Sequence, residues 1–131
     1  MIVADASAVL ELLLNSVRGA RVAARLSAVD ETVHAPELLD VEVLQVLRRY
    51  ARNREIEERR GAEAVRDLFD LPITRYRHAP LGERVWRLRN SLSAYDATYV
   101  ALAEALDAPL LTCDARLVRS HGHGAKIELV R

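Results

Sequence analysis

Three aspartates stand where a carboxylate has chemical consequences. Asp5 directly follows the apolar run at residues 1–4, and Asp114 follows the apolar residues 110–112 after a single intervening residue. Asp96 lies three residues after Ser93 and heads a helical pattern, with Tyr99, Val100 and Ala103 three, four and seven residues further on. A fourth acid comes from residues 38–47, where Glu42 is flanked on its own face by Leu38, Leu39 and Val46, while Asp40 neighbours Val43, Leu44 and Leu47. Spacing alone does not choose between Asp40 and Glu42. Each acid also has an ordinary role open to it: Asp5 and Asp114 as helix N-caps, Asp96 as the acid of a capping box with Ser93. Burying one unpaired carboxylate costs several kcal/mol, so acids converging near an apolar core need compensating cations or protons. A hard divalent ion is the natural solution. Mg²⁺ and Mn²⁺ prefer carboxylate and water oxygens, and take only one or two protein carboxylates directly.

The elements that must position these acids alternate between strand and helix. Residues 1–4 read as a buried strand leading straight into a helix over 6–14, where Val9, Leu10, Leu13 and Leu14 recur at helical spacing. A second helix is expected over 18–29 through Val22, Leu26 and Val29, then a brief strand at 32–34, with Pro36 introducing a long helix to about Asn53. Residues 55–71 continue as a charged helix with Ala62, Val65, Leu68 and Phe69 inward, 73–77 alternate as a strand, and 81–92 form a helix. Ser93 caps a helix to about Asp107, followed by a strand at 110–112, a helical turn at 115–119 and a last strand at 127–130. Such alternation implies crossover connections and a mainly parallel sheet, here of about five strands, covered by helices on both faces: an α/β fold. The ligand site of such a sheet lies beyond the carboxyl ends of its strands, where Asp5 and Asp114 fall.

Composition narrows the class. The chain has 131 residues, 50% of them hydrophobic, enough for one core without staples, and no linker or repeat divides it. The single cysteine, Cys113, cannot form an internal disulfide, and no Cys/His framework accompanies it, so a reducing cytoplasmic setting is expected. Residues typical of a signal peptide or of a bilayer span are not found, and no membrane association is expected. Lys+Arg and Asp+Glu both number 19, yet every basic residue except Lys126 is arginine, and Arg48, Arg49, Arg52, Arg54, Arg59 and Arg60 crowd one stretch. A solvated helix face explains them, and a phosphate-facing patch is the competing reading. His121 and His123 read as a polar turn, Cys113 as a small strand-end residue, and Trp86 with the four tyrosines as core and interface residues rather than a base-stacking platform.

Three segments together resemble a known family. They are Val3-Ala4-Asp5-Ala6-Ser7-Ala8-Val9; Ala35-Pro36-Glu37-Leu38-Leu39-Asp40-Val41-Glu42 leading to Leu47-Arg48-Arg49; and Ser93-Ala94-Tyr95-Asp96-Ala97-Thr98-Tyr99-Val100-Ala101-Leu102-Ala103 followed by Pro109-Leu110-Leu111-Thr112-Cys113-Asp114. The likeness is to the PIN domain, in particular the VapC-type toxins of bacterial and archaeal toxin–antitoxin modules, and covers the chain as a single PIN domain, residues 1–131. It implies a metal-dependent endoribonuclease whose acids Asp5, Glu42, Asp96 and Asp114 bind Mg²⁺ or Mn²⁺, with Glu42 rather than Asp40 in the set and Ser7 and Thr112 in support. Water would attack the phosphorus, leaving a 5′-phosphate and a 3′-hydroxyl. The resemblance further implies a cognate VapB-type antitoxin that obstructs the acids, an RNA substrate, and a homodimer within a larger toxin–antitoxin complex. Leu12, Leu13 and the 38–50 helix are candidates for the dimer face, although core burial explains them more simply. A non-catalytic PIN scaffold that binds RNA or protein is the alternative, and a hydrolase of small phosphate esters a third reading.

Overall fold

The structure is a computed structural model that describes residues 1–131. Five strands form one sheet in the order β3-β2-β1-β4-β5: β1 (Ile2–Ala4), β2 (Val33–Pro36), β3 (Ile73–Tyr76), β4 (Leu110–Thr112) and β5 (Ile127–Leu129). Every pairing is parallel, with Val3 opposite His34 on one side and Leu110 on the other. Parallel neighbours require crossovers, and these are α1 (Ala6–Leu13), α2 (Val17–Leu26), α3 (Leu38–Arg52), α4 (Glu58–Asp70), α5 (Gly82–Arg87), α6 (Ala94–Leu106) and α7 (Ala115–Val118).

Side chains of the central strands alternate between two apolar layers, as the pleat demands. Ile2 and Leu111 pack with Ala8 and Val22 in a small cluster, while Val3 and Leu110 join the main core built by α3, α4 and α6. Both faces of β1 and β4 are thus covered, which is why these strands read as continuous apolar runs rather than alternating ones. Helix α6 runs past the sheet buried on nearly all sides from Ala97 to Ala103, so its apolar surface is wider than the single stripe expected below Asp96. The α1–α2 corner closes tightly at Gly19, where a Cβ would lie 2.0 Å from the Glu11 carbonyl oxygen.

Four expectations are corrected. Pro36 ends β2 instead of opening the next helix: its lack of an N–H is harmless at a strand end, and α3 starts at Leu38, whose amide donates to His78 Nε2 at 2.9 Å. The inner face of α4 is Gly61, Ala64 and Leu68, with Val65 half-buried; Ala62 and Phe69 point outward, and the Arg75 guanidinium covers the Phe69 ring at 5.7 Å. The helix expected over 81–92 is a 3₁₀ turn at Ala79–Leu81 followed by the short α5, which ends where Leu88 turns into the core. Trp86 is 67% exposed, stacked only by Arg89, and not a core residue. No helix is long and apolar enough to cross a membrane.

Candidate active site

From β1 the chain steps outward through β2 to β3, then returns to the other side of β1 for β4 and β5. The carboxyl ends of β1 and β4 therefore flank the point where strand order reverses, the position at which open parallel sheets form a crevice. Asp5 and Thr112 occupy it. The Asp5 amide donates to the Leu111 carbonyl at 3.1 Å, carrying the ladder one residue past β1 and bringing the Asp5 side chain against the end of β4.

Asp5 is nearly inaccessible and fully partnered. Oδ1 accepts from Ser7 Oγ at 2.6 Å and from the Ala8 amide at 3.0 Å, and Oδ2 accepts from Thr112 Oγ1 at 2.5 Å. The two hydroxyls are held in turn, Ser7 Oγ by the Cys113 amide and Thr112 Oγ1 by the Asp114 amide, each at 2.9 Å. Both hydroxyl protons therefore point at the carboxylate, an arrangement suited to its ionised form. Burial nonetheless dominates and raises the Asp5 pKa above the ordinary carboxylate range, with Ser7, Thr112 and Ala8 opposing the shift and the charge of Asp96 adding to it. Asp5 is also the N-cap of α1, so the cap role and the cradle are one geometry.

Glu42, in the second turn of α3, shares this ground. Burial raises its carboxyl pKa, the Tyr99 hydroxyl opposes that, and the charges of Asp96 and Asp5 raise it further. Its Oε1 is buried without completing a well-directed hydrogen bond, and the hydroxyl of buried Tyr99 is left in the same state. Asp40 faces elsewhere: Arg75 Nε donates to Asp40 Oδ1 at 3.0 Å and to Oδ2 at 2.8 Å, fixing α3 to β3. Asp96 sits in the first turn of α6. The Ser93 hydroxyl accepts from its amide at 3.2 Å, but the reciprocal bond from the Ser93 amide to the Asp96 carboxylate is not formed, so only half a capping box exists. Burial and then Asp114 raise the Asp96 pKa, and Arg116 opposes them. Asp114, N-cap of α7, has its pKa lowered instead, because Arg116 pairs with it at 2.7 Å.

Asp5, Glu42 and Asp96 thus lie within electrostatic reach of one another, and Asp114 joins them through Asp96. Three are raised by burial and mutual repulsion, so on that side the local deficit is one of positive charge. Their donors are all oxygen, which favours a hard cation over zinc. No three of the chain's His, Cys, Asp and Glu side chains are gathered closely enough to chelate an ion by themselves. Such a set suits an ion that keeps most of its shell for water and phosphate.

A groove of about 850 Å³ opens beside the acids, with Ser7, Glu42 and Asp114 on its wall and Arg18, Arg49 and Arg116 around it. Only Arg49 of the crowded arginine stretch reaches this groove. Arg59 is exposed and pairs with Glu63 as a solvated face would, whereas half-buried Arg60 donates to the Leu13 carbonyl and ties α4 to the end of α1. Tyr99 beside Glu42, Arg18 and the Arg116–Asp114 pair escaped sequence reading. Tyr99 had a signal, its position one turn after Asp96, whereas Arg18 is brought in only by tertiary structure. His121 and His123 lie on a turn whose bonds are internal: His123 Nε2 meets Ser120 Oγ at 2.7 Å and its Nδ1 accepts the Ala125 amide.

Comparison with known proteins agrees with this architecture. The PIN domain family matches residues 2–121. Ribonuclease VapC12 of Mycobacterium tuberculosis is 47% identical over 130 residues, covering 99% of both chains. Among solved structures, PAE2754 from Pyrobaculum aerophilum superposes with a TM-score of 0.73 at 21% identity, covering 96% of this chain and 82% of the other. VapBC2 from Rickettsia felis, solved with a DNA fragment from its promoter, gives a TM-score of 0.71 at 13% identity over 100% of both chains. With the PIN family match over residues 2–121 and the whole-length identity to a VapC ribonuclease, the chain belongs to the PIN-domain family, among its VapC-type ribonucleases.

Proposed function

We propose that this chain is a single PIN domain, residues 1–131, that hydrolyses RNA with a divalent cation held by Asp5, Glu42, Asp96 and Asp114, and that it is the toxin of a type II toxin–antitoxin module. The observation that carries the reading is the buried Oε1 of Glu42, which has no well-directed hydrogen bond although the Tyr99 hydroxyl is beside it, next to Asp5 and Asp96, whose pKa values are raised with its own. Left alone, that cluster works against the fold, and a hard cation relieves it.

Mg²⁺ or Mn²⁺ bound there would supply an acidified water and charge stabilisation at the scissile phosphoryl group. The chain's own residues do the rest. Ser7 and Thr112 fix both oxygens of Asp5, so its carboxylate is oriented before any ligand arrives. Glu42 Oε1 has free lone pairs and is suited to accept the proton of the attacking water. Attack forms the new P–O bond and breaks P–O3′, and Arg18, Arg49 and Arg116 around the groove offer guanidinium groups to the flanking phosphates.

A VapB-type antitoxin fits the same chemistry: a guanidinium from a partner segment would compensate the acids as a cation does and close the groove. The VapBC2 assembly from Rickettsia felis supports a partner of this kind. A homodimer in the cytoplasm completes the proposal. Leu13 is buried and cannot serve its interface, whereas Val41 on α3 is 65% exposed.

The test is cleavage of RNA by purified protein with Mg²⁺ or Mn²⁺. Asp5→Asn and Asp96→Asn are expected to keep the circular dichroism of the wild type and to lose cleavage. Equal cleavage by all three proteins, with contaminating nuclease excluded, overturns the assignment of the acids; binding of RNA without cleavage by the wild type favours the scaffold reading.

A further inference from the structure

Arg116 occupies two surfaces at once. It borders the wide groove and also a smaller cleft lined by Asp96, Arg119 and His121. Its guanidinium grips Asp114 from two directions: Nε donates to Oδ1 and Oδ2 at 3.1 Å each, and Nη2 donates to Oδ2 at 2.7 Å. The Arg116 amide adds a bond to Oδ1 at 2.9 Å. Asp114 is therefore covered by the chain's own cation, while Glu42 Oε1 has no cation and no well-directed hydrogen bond. The cover is loosely anchored, because the Arg116 side chain is 80% exposed and makes no other hydrogen bond or ion pair. An exposed ion pair between residues two apart is weak and easily exchanged.

We propose that Arg116 is a phosphate-positioning residue held in reserve on Asp114. In the free protein it neutralises the fourth acid; when an RNA strand enters, the guanidinium transfers to a phosphate oxygen and uncovers Asp114 for the cation. Phosphate and carboxylate are both bidentate acceptors for arginine, so the exchange replaces one charge-assisted pair by another. A divalent cation held by the acids would favour the exchange, since its charge repels the guanidinium. The step makes and breaks no covalent bond. It rests on the RNA-cleavage reading above and adds to it a defined ligand for the strand on the side of Asp96 and Arg119.

The proposal requires effects of opposite sign from one substitution. Arg116→Ala is expected to tighten binding of Mn²⁺ alone, followed by calorimetry, several-fold, since its competitor for Asp114 is gone. In an Asp114→Asn background the same substitution is expected to leave Mn²⁺ affinity unchanged. On an Asp5→Asn background, a single-stranded RNA oligonucleotide followed by fluorescence anisotropy is expected to bind about tenfold more weakly without Arg116. The slope of log affinity against log salt is expected to fall by about 0.7, the loss of one phosphate contact on a single strand. Arg116→Lys, which keeps the charge without the fork, is expected to restore the salt slope but only part of the affinity. Mn²⁺ affinity that is unchanged or weaker in Arg116→Ala overturns the reserve role, and unchanged RNA affinity and slope overturn the phosphate contact. A wild type that does not cleave RNA with Mn²⁺ overturns the ribonuclease reading instead; Arg116 results obtained with a cleaving wild type bear on this proposal alone.

Discussion

Replacing Thr112 by valine removes one interior oxygen and scarcely changes the shape of the side chain. Thr112 is wholly buried, donates to Asp5 Oδ2 at 2.5 Å and accepts the Asp114 amide at 2.9 Å. A hydrogen bond to a charged group is worth about 1.5–3 kcal/mol, and the methyl that replaces the hydroxyl returns roughly 0.8 kcal/mol through apolar burial. The net loss is about 1–2 kcal/mol, a fall in Tm of roughly 3–10 °C for a domain of this size. Thr112→Ser is the control: it keeps the hydroxyl and loses only a buried methyl, at about 1 kcal/mol. Dependence on pH separates the two. Asp5 has its pKa raised in the fold, so its contribution to stability is present below the unfolded carboxyl value and is lost as pH rises through the folded one. Without the Thr112 donor the charged form is still less favoured, so the deficit of the valine variant widens as Asp5 ionises, whereas that of the serine variant stays constant. Urea unfolding followed by circular dichroism at pH 5 and pH 8, without divalent ions, measures both. The valine variant is also expected to cleave RNA more slowly than the serine variant. Equal losses for valine and serine at both pH values, or a valine deficit that shrinks as pH rises, would refute the cradle.

Glu42→Gln is expected to abolish cleavage while leaving stability within about 1 kcal/mol of the wild type or above it, because it removes a charge that burial and two neighbouring acids disfavour. Asp40→Ala is expected to do the reverse, costing roughly 1–3 kcal/mol in urea unfolding by leaving half-buried Arg75 without its pair, with cleavage per folded molecule retained. Gly19→Ala is expected to destabilise by roughly 2–3 kcal/mol despite alanine's better helix propensity, since its Cβ would overlap the Glu11 carbonyl and force α2 away from α1; a thermal melt at or above wild type would contradict this.

The sheet was legible because its central strands are buried on both faces, which leaves short runs without polar alternation, and because Asp5 follows one such run directly and Asp114 another after a single residue. The choice between Asp40 and Glu42 was not legible from spacing. Residues two apart on a helix point to opposed sides, and each acid had apolar neighbours of its own. Which side faces the acids depends on Arg75, delivered from β3 more than thirty residues later to hold Asp40. The same arginine explains the error at Phe69: an aromatic residue in a helix is expected inward, but a guanidinium from the neighbouring strand covers it outside the core. Residues 81–92 carry helical periodicity, yet Leu88 is drawn into the core and ends α5 early. Local pattern thus located the acids, and contacts distant in sequence decided which way they face.

The acids differ in how well they are satisfied, and the difference assigns work within the proposed site. Asp5 receives three hydrogen bonds and cannot reorient without breaking the joint between β1 and β4, so it serves as the fixed point of the geometry. Asp114 is covered by an arginine that solvent can reach, so its availability is variable. Glu42 keeps a buried oxygen without a well-directed hydrogen bond, with only the Tyr99 hydroxyl beside it, and Asp96 forms only half of its capping box. A site in which every carboxylate was as fully bonded as Asp5 would be more stable and would leave few lone pairs for a cation, a water or a transferred proton. The equal numbers of basic and acidic residues are compatible with RNA for the same reason: Arg18, Arg49 and Arg116 stand around the groove that Glu42 and Asp114 also line, and it is this local arrangement, not the sum, that a phosphate would meet.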